Sequence, residues 1–122
     1  MKGTQPAVEV SLYNGDRSTN AVAILDSGSV YTVFSPEYAQ LIGIEDVTVG
    51  HRDTVSTLAG PRDIYLFDLE IQLLVAGERF AAQIAFFDVH ASRNILGRSA
   101  IFASFEIGFR ESAGQLHFRS EV

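Results

Sequence analysis

The stretch Ala21-Val22-Ala23-Ile24-Leu25-Asp26-Ser27-Gly28-Ser29 decides how the rest of the chain is read. Five apolar residues run as a strand and stop abruptly at an aspartate. The strand pattern puts Asp26 at a buried or half-buried position, where an unpaired charge is costly. Gly28 permits a sharp backbone path and lets amide groups approach the carboxylate closely. Ser27 and Ser29 add hydroxyls that can hold the loop or the carboxylate. Taken alone, an Asp-Ser-Gly tripeptide reads as no more than a strand-ending turn.

Working outward, Val8, Val10 and Leu12 alternate with Glu9 and Ser11, a half-buried strand closed by the turn signal Asn14-Gly15-Asp16. Downstream, Val30 to Phe34 reads as a strand. Ser35-Pro36-Glu37 then opens a short helix, with Ser35 as N-cap, Pro36 at the first position and Gly43 placed to end it. That helix is predicted to turn Tyr38, Leu41 and Ile42 towards the core. Val47 to Val55 looks extended but polar. Ala59-Gly60-Pro61 is a turn between two extended arms, so Thr54 to Tyr65 reads as a projecting hairpin. Tyr65 to Val75 and Phe80 to Val89 are further strands around Ala76-Gly77-Glu78. After Asn94-Ile95-Leu96-Gly97-Arg98, residues Ala100 to Phe105 suggest one or two helical turns. A last hairpin, Phe105 to Phe109 with Gln115 to Phe118, is expected around Ser112-Ala113-Gly114. Many short strands between turns, with two small helices at most, predict a closed or sandwich-like all-β fold formed by one domain over residues 1–122.

Composition narrows the function. The 122 residues suffice for one real core but not for two. The formal charge is −6, and of the nine basic residues only Lys2 is a lysine; the scattered arginines form no stripe that could follow a phosphate backbone. Nucleic acid is therefore not an expected partner. The absence of cysteine excludes disulfides, thiolate metal sites and cysteine nucleophiles. It also suits a reducing cytosol, so the cytoplasm is the favoured compartment. No apolar run approaches the roughly 20 residues of a membrane span, and the N-terminus has no apolar core like that of a signal peptide. His51, His90 and His117 share no metal-ligand spacing and read as surface or structural residues; no metal or other cofactor is expected. Neither a Gly-x-Ser-x-Gly elbow nor a phosphate-binding glycine run occurs. Phe80, Phe86, Phe87, Phe102, Phe105 and Phe109 read as core or dimer contacts.

Two motifs in order lift Asp26 above a simple turn. An apolar lead into Asp26-Ser27-Gly28-Ser29 is followed by a strand, by a helix ending in Leu41-Ile42-Gly43-Ile44, and late in the chain by Asn94-Ile95-Leu96-Gly97-Arg98. From about Val8 to Phe118 this order resembles the retropepsin family of aspartic proteases and its bacterial single-domain relatives. The resemblance implies an acid-protease fold in which Asp26 is catalytic and Ser27, Gly28 and Ser29 support the active-site loop. Ile95, Leu96, Gly97 and Arg98 would thread beside that turn as a ψ-shaped loop. Leu58, Ala59 and Gly60 would form the tip of a flap over a peptide or protein substrate. By the same resemblance Ser27 would lock two active-site loops together across a dimer axis, and Ser29 would hydrogen-bond the outer carboxylate oxygen of Asp26.

The implied chemistry, aspartic endopeptidase cleavage, uses water activated between two carboxylates that share one proton. This chain holds one Asp-Ser-Gly, so a homodimer is expected to bring two copies of Asp26 together. The sequence departs from the family in two places. Serine follows Asp26 where threonine is commoner, which keeps the hydroxyl. Val30 stands where viral members carry the aspartate that pairs with the arginine of the ψ loop, so Arg98 is expected to find Glu37 or a group across the dimer instead. The alternative function is a catalytically silent, retropepsin-like domain of a larger protein that binds peptides or dimerises. An unrelated β-barrel binding module is the remaining reading.

Overall fold

A computed structural model describes residues 6–75 and 77–100. Within them the chain is all-β with two short helices: β1 (Ala7–Asn14), β2 (Arg17–Leu25), β3 (Val33–Phe34), α1 (Pro36–Leu41), a 3-10 turn (Val47–Val49), β4 (His51–Thr57), β5 (Gly60–Leu73), β6 (Arg79–Phe87) and β7 (Ile95–Leu96). The expected final hairpin, and the turns from Ile101 onward with Phe102, Phe105, Phe109 and His117, lie outside the described residues, as does Ala76.

The strands hydrogen-bond in the order β1-β2-β7-β3-β6-β5-β4, and β1 also pairs with β5. Six strands therefore close into a ring, and β4 hangs on β5 alone. Closure leaves few unpaired edges for water or another chain to compete for. Two short strands complete the ring. β7 pairs parallel to β2, with Ile24 opposite Ile95 and Leu25 opposite Leu96, and antiparallel to β3 through Val33 and Ile95. The late Ile95-Leu96 pair thus sits between two strands that follow each other early in the chain.

The main core lies inside the ring. Phe34, Phe86, Leu12, Ile42, Ile71, Ile84 and Leu96 are fully buried, each side chain contributing about 1.5–3 kcal/mol by leaving water. Phe34 packs against Phe86 with ring centroids 6.4 Å apart and meets Tyr38 edge-on at 6.1 Å. A second, smaller cluster of Val33, Ile64, Leu66 and Ala85 lies towards the β4–β5 hairpin and gathers Tyr31, Val55 and Phe87.

Several local expectations are corrected. Ser11 is buried rather than outward-facing, because β1 is paired on both sides and Asn20 Oδ1 accepts from the Ser11 hydroxyl at 2.7 Å. Of Val30 to Phe34 only the last two residues are strand; the segment before them is held by contacts to Arg98 and Ser99 instead. On α1, Ala39 and the following Ile42 are buried, whereas Leu41 is 59% exposed. Ser35 occupies the N-cap position without capping an amide, its hydroxyl donating to Glu37. Gly43, with φ +90°, follows the helix end as expected. Val47–Val49 coils rather than extends because the Asp46 carboxylate accepts from Thr48 N at 3.0 Å. The hairpin is longer than expected, pairing His51 with Leu66 down to Thr57 with Gly60.

Gly97 is the tightest point of the fold. A Cβ there would lie 2.2 Å from Tyr31 O and 2.8 Å from Ser29 O, both backbone atoms that cannot swing aside. Gly97→Ala is therefore expected to cost about 3 kcal/mol or more. Gly15→Ala, at a turn with φ +64° and open space around the added carbon, is expected to cost about 1 kcal/mol. Urea unfolding of the two variants against wild type checks the difference.

Candidate functional site

β2 delivers Asp26 to one end of the ring. The Asp26 amide donates to Leu96 O at 3.0 Å, continuing the β2–β7 pairing by one residue, and Ser29 N then donates to Asp26 O at 3.1 Å to close a turn. Gly28 N donates to Asp26 Oδ1 at 3.0 Å. A side chain at Gly28 would crowd that oxygen, since its Cβ would stand 3.2 Å away. The carboxylate is half-buried, and its other oxygen makes no hydrogen bond among the described residues.

The turn is clamped from behind. Arg98 N donates to Ser29 O at 2.8 Å and Ser99 N to Val30 O at 3.1 Å. Thr32, fully buried, uses all of its hydroxyl: it donates to Gly97 O at 3.3 Å and accepts from Gly97 N at 2.9 Å and from Ser99 Oγ at 3.1 Å. Asn94, also buried, donates from Nδ2 to Val22 O and accepts at Oδ1 from Ser35 N, both at 2.9 Å. One side chain thus ties the start of β7 to β2 and to the head of α1.

The aspartate opens into a groove of about 870 Å³ beneath the hairpin. Its walls are apolar where Val33, Val55, Phe87 and Ile95 meet, Ser92 and Arg93 stand at one rim, and Leu58 and Ala59 reach in from the hairpin tip. Leu58 is fully exposed. The Arg62 guanidinium lies 5.5 Å from the centroid of the Phe87 ring, stacking on the wall's outer residue. Asp26, Gly28, Ser29, Leu58, Ala59 and Ile95 all line this one space. Leu96 and Gly97 lie buried behind it, Gly60 is paired with Thr57 at the base of the tip, and Ser27 is exposed on the turn.

Two expectations about individual groups are corrected. The Ser29 hydroxyl donates to Tyr31 O at 2.8 Å, so it braces the loop rather than the carboxylate. Glu37 does not meet Arg98, because both of its oxygens are taken. Ser35 Oγ donates to Oε1, and Oε2 lies 2.6 Å from His90 Nδ1. Arg98 is exposed and forms no ion pair among the described residues. Ser35, His90 and Glu37 bring together the residue types of a serine hydrolase, but the arrangement is wrong for one. The Ser35 hydroxyl is buried, already donates to the carboxylate and accepts from Ala91 N at 2.9 Å. This cluster instead pins the segment leading to Arg93 and Asn94 against the helix.

Thr32, Tyr31, Asp53 and Arg93 escaped the sequence reading as residues of the site, as did the apolar walls Val33, Val55 and Phe87. The phenol of Tyr31 donates to Asp53 Oδ2 on β4, linking the loop after the aspartate turn to the hairpin. Among the described residues no three His, Asp or Glu side chains converge as metal ligands, and no helix is long and apolar enough to cross a membrane. A single carboxylate with one free oxygen in an apolar-walled groove can accept a proton from bound water. It cannot at the same moment give one to a leaving group, so acid–base hydrolysis here requires a second acid. No protein-family model matches the sequence, and no curated protein matches it.

The Ser35 hydroxyl first, and His90 second, lower the Glu37 carboxyl from its ordinary 4.5 to about 2. A carboxyl whose value falls on folding stabilises the native state above its unfolded value and loses that contribution as it is protonated. Wild type is therefore expected to exceed Glu37→Gln in thermal stability fully at about pH 5. The gap should narrow as pH falls from 4.5 towards 2. A gap that stays constant through that window in paired melting curves contradicts this assignment of the Ser35 and His90 contacts to Glu37.

Proposed function

We propose that this chain is an aspartic endopeptidase of the retropepsin type, active as a homodimer in which two Asp26 carboxylates face each other across the two-fold axis. The observation that carries the reading is the Asp26 turn itself. Its carboxylate, held by Gly28 N at 3.0 Å, faces a groove covered by a hairpin, and a strand from late in the chain is wedged behind it. A turn that only ended a strand would need no such groove in front of its carboxylate. The exposure of Ser27 and Gly28 at the tip of the turn suits a contact with a second copy.

In the dimer the two carboxylates hold one proton between them, because like charges a few ångströms apart do not both ionise. The ionised member takes a proton from water, and that water attacks the carbonyl carbon of a peptide bond. The protonated member gives its proton to the carbonyl oxygen, and breakdown of the tetrahedral species transfers a proton to the leaving nitrogen. Substrate lies extended under the hairpins, its apolar side chains against Val33, Val55, Phe87 and Ile95. No cofactor takes part. Val30 is apolar and 54% exposed, so the contact of Arg98 that viral relatives make at this point is replaced in the dimer by another.

Cleavage of an unfolded protein substrate, followed from acidic to neutral pH at several enzyme concentrations, tests the reading. Wild type is expected to cut with a rate that rises faster than linearly with enzyme while the dimer is forming. Asp26→Asn should lose activity by at least about 10³-fold. A wild-type chain that is folded, monomeric and inert would leave the silent peptide-binding domain as the better account.

A further inference from the structure

Among the described residues, the hairpin is joined to the aspartate loop by one polar side-chain contact. Tyr31, two residues beyond Ser29, sends its phenol to Asp53 on β4. Both ends of this contact are anchored. Ser29 Oγ donates to Tyr31 O at 2.8 Å, and the same carbonyl lies against Gly97, where an added Cβ would stand only 2.2 Å from it. Tyr31 itself packs with Val55 and Phe87 against the small cluster of Val33, Ile64, Leu66 and Ala85. On the hairpin side, Asp53 Oδ1 accepts from Thr54 N at 2.8 Å, which fixes the carboxylate for its bond to the phenol through Oδ2. Among the described residues β4 pairs only with β5, and apart from apolar contacts nothing else on that strand ties it to the aspartate turn.

We propose that Tyr31 and Asp53 form a latch that sets the height of the β4–β5 hairpin over the Asp26 groove, making Tyr31 a positioning residue for whatever lies beneath it. A neutral phenol donating to an ionised carboxylate is a charge-assisted bond, stronger than one between two neutral groups. The two groups shift as that arrangement requires. The bond from Tyr31 lowers the Asp53 carboxyl, helped by Thr54 N and His51. The bond to Asp53, with burial and the Asp53 charge behind it, raises the Tyr31 phenol. The carboxylate therefore stays an acceptor in moderately acidic solution. The contact lies beside the groove, since Tyr31 and Val55 both line it, so releasing it widens the space in which a bound segment is held. The consequence for substrate rests on the protease reading; the latch does not.

The absence of native cysteine makes the test direct. A nitroxide attached through Leu58→Cys reports from the hairpin tip, and one attached through Ser18→Cys, on exposed β2 away from the groove, serves as control. Tyr31→Phe keeps the ring and its packing but removes the donor. It is expected to raise tip mobility about two- to fivefold in the electron paramagnetic resonance spectrum and leave the Ser18 label unchanged, the scale of one partly wet charge-assisted bond. Asp53→Ala should behave alike, whereas Asp53→Asn, with one acceptor oxygen for two donors and no charge, should recover only part of the order. An unchanged tip in Tyr31→Phe, or equal loosening of both labels, overturns the latch. In peptide cleavage the same Tyr31→Phe is expected to raise KM more than it lowers kcat; equal effects on both would overturn its positioning role for substrate. If wild type cleaves nothing, the protease reading falls and the label measurements still decide the latch.

Discussion

Everything at the functional end of this molecule depends on the close approach of Gly97 to the carbonyls of Ser29 and Tyr31. Only a residue without a side chain lets β7 slide between β2 and β3. Once it is there, Leu96 O accepts from the Asp26 amide, and Arg98 N and Ser99 N donate to the carbonyls of Ser29 and Val30. The loop that carries the aspartate therefore borrows its rigidity from a segment some seventy residues away. Thr32 makes the wedge permanent by exchanging hydrogen bonds in both directions with the Gly97 peptide at a site closed to water. Buried polar groups this fully matched fix one arrangement and penalise every other.

The sequence made some of this legible and hid the rest for identifiable reasons. Asp26 stood out because an apolar run stopped at a charge, a local signal, whereas Gly97 drew notice only through the order of motifs that resembles a known family. The hairpin announced itself through Ala59-Gly60-Pro61, although its arms reach further, since Gly60 to Leu73 is one uninterrupted strand rather than two. Thr32 looked like an ordinary strand residue, because its partners lie 65 and 67 positions ahead in Gly97 and Ser99. Tyr31 and Asp53 were hidden in the same way by a separation of 22 residues. The family resemblance puts the Ser29 hydroxyl on the carboxylate, whereas in the folded loop it donates to Tyr31 O.

The second apolar cluster explains why the groove has hydrophobic walls at all. Val33, Ile64, Leu66 and Ala85 form a floor that the main core does not need, and Val55 and Phe87 are only partly covered by it. Their remaining apolar surface faces the space above Asp26. Under the protease proposal, an extended peptide that covers this apolar surface gains from its burial.

The unbroken course of β5 has a mechanical meaning. Its first residues form the outer arm of the hairpin, its middle pairs with β6, and its end pairs with β1 inside the closed ring. No loop separates the projecting part from the body, so the hairpin has no hinge on that side. It bends as a leaf spring does, storing deformation along its length in small changes of strand twist and returning it when the load is removed. Opening the groove therefore strains the same strand that helps to close the ring, and recoil towards the closed position is built into the sheet.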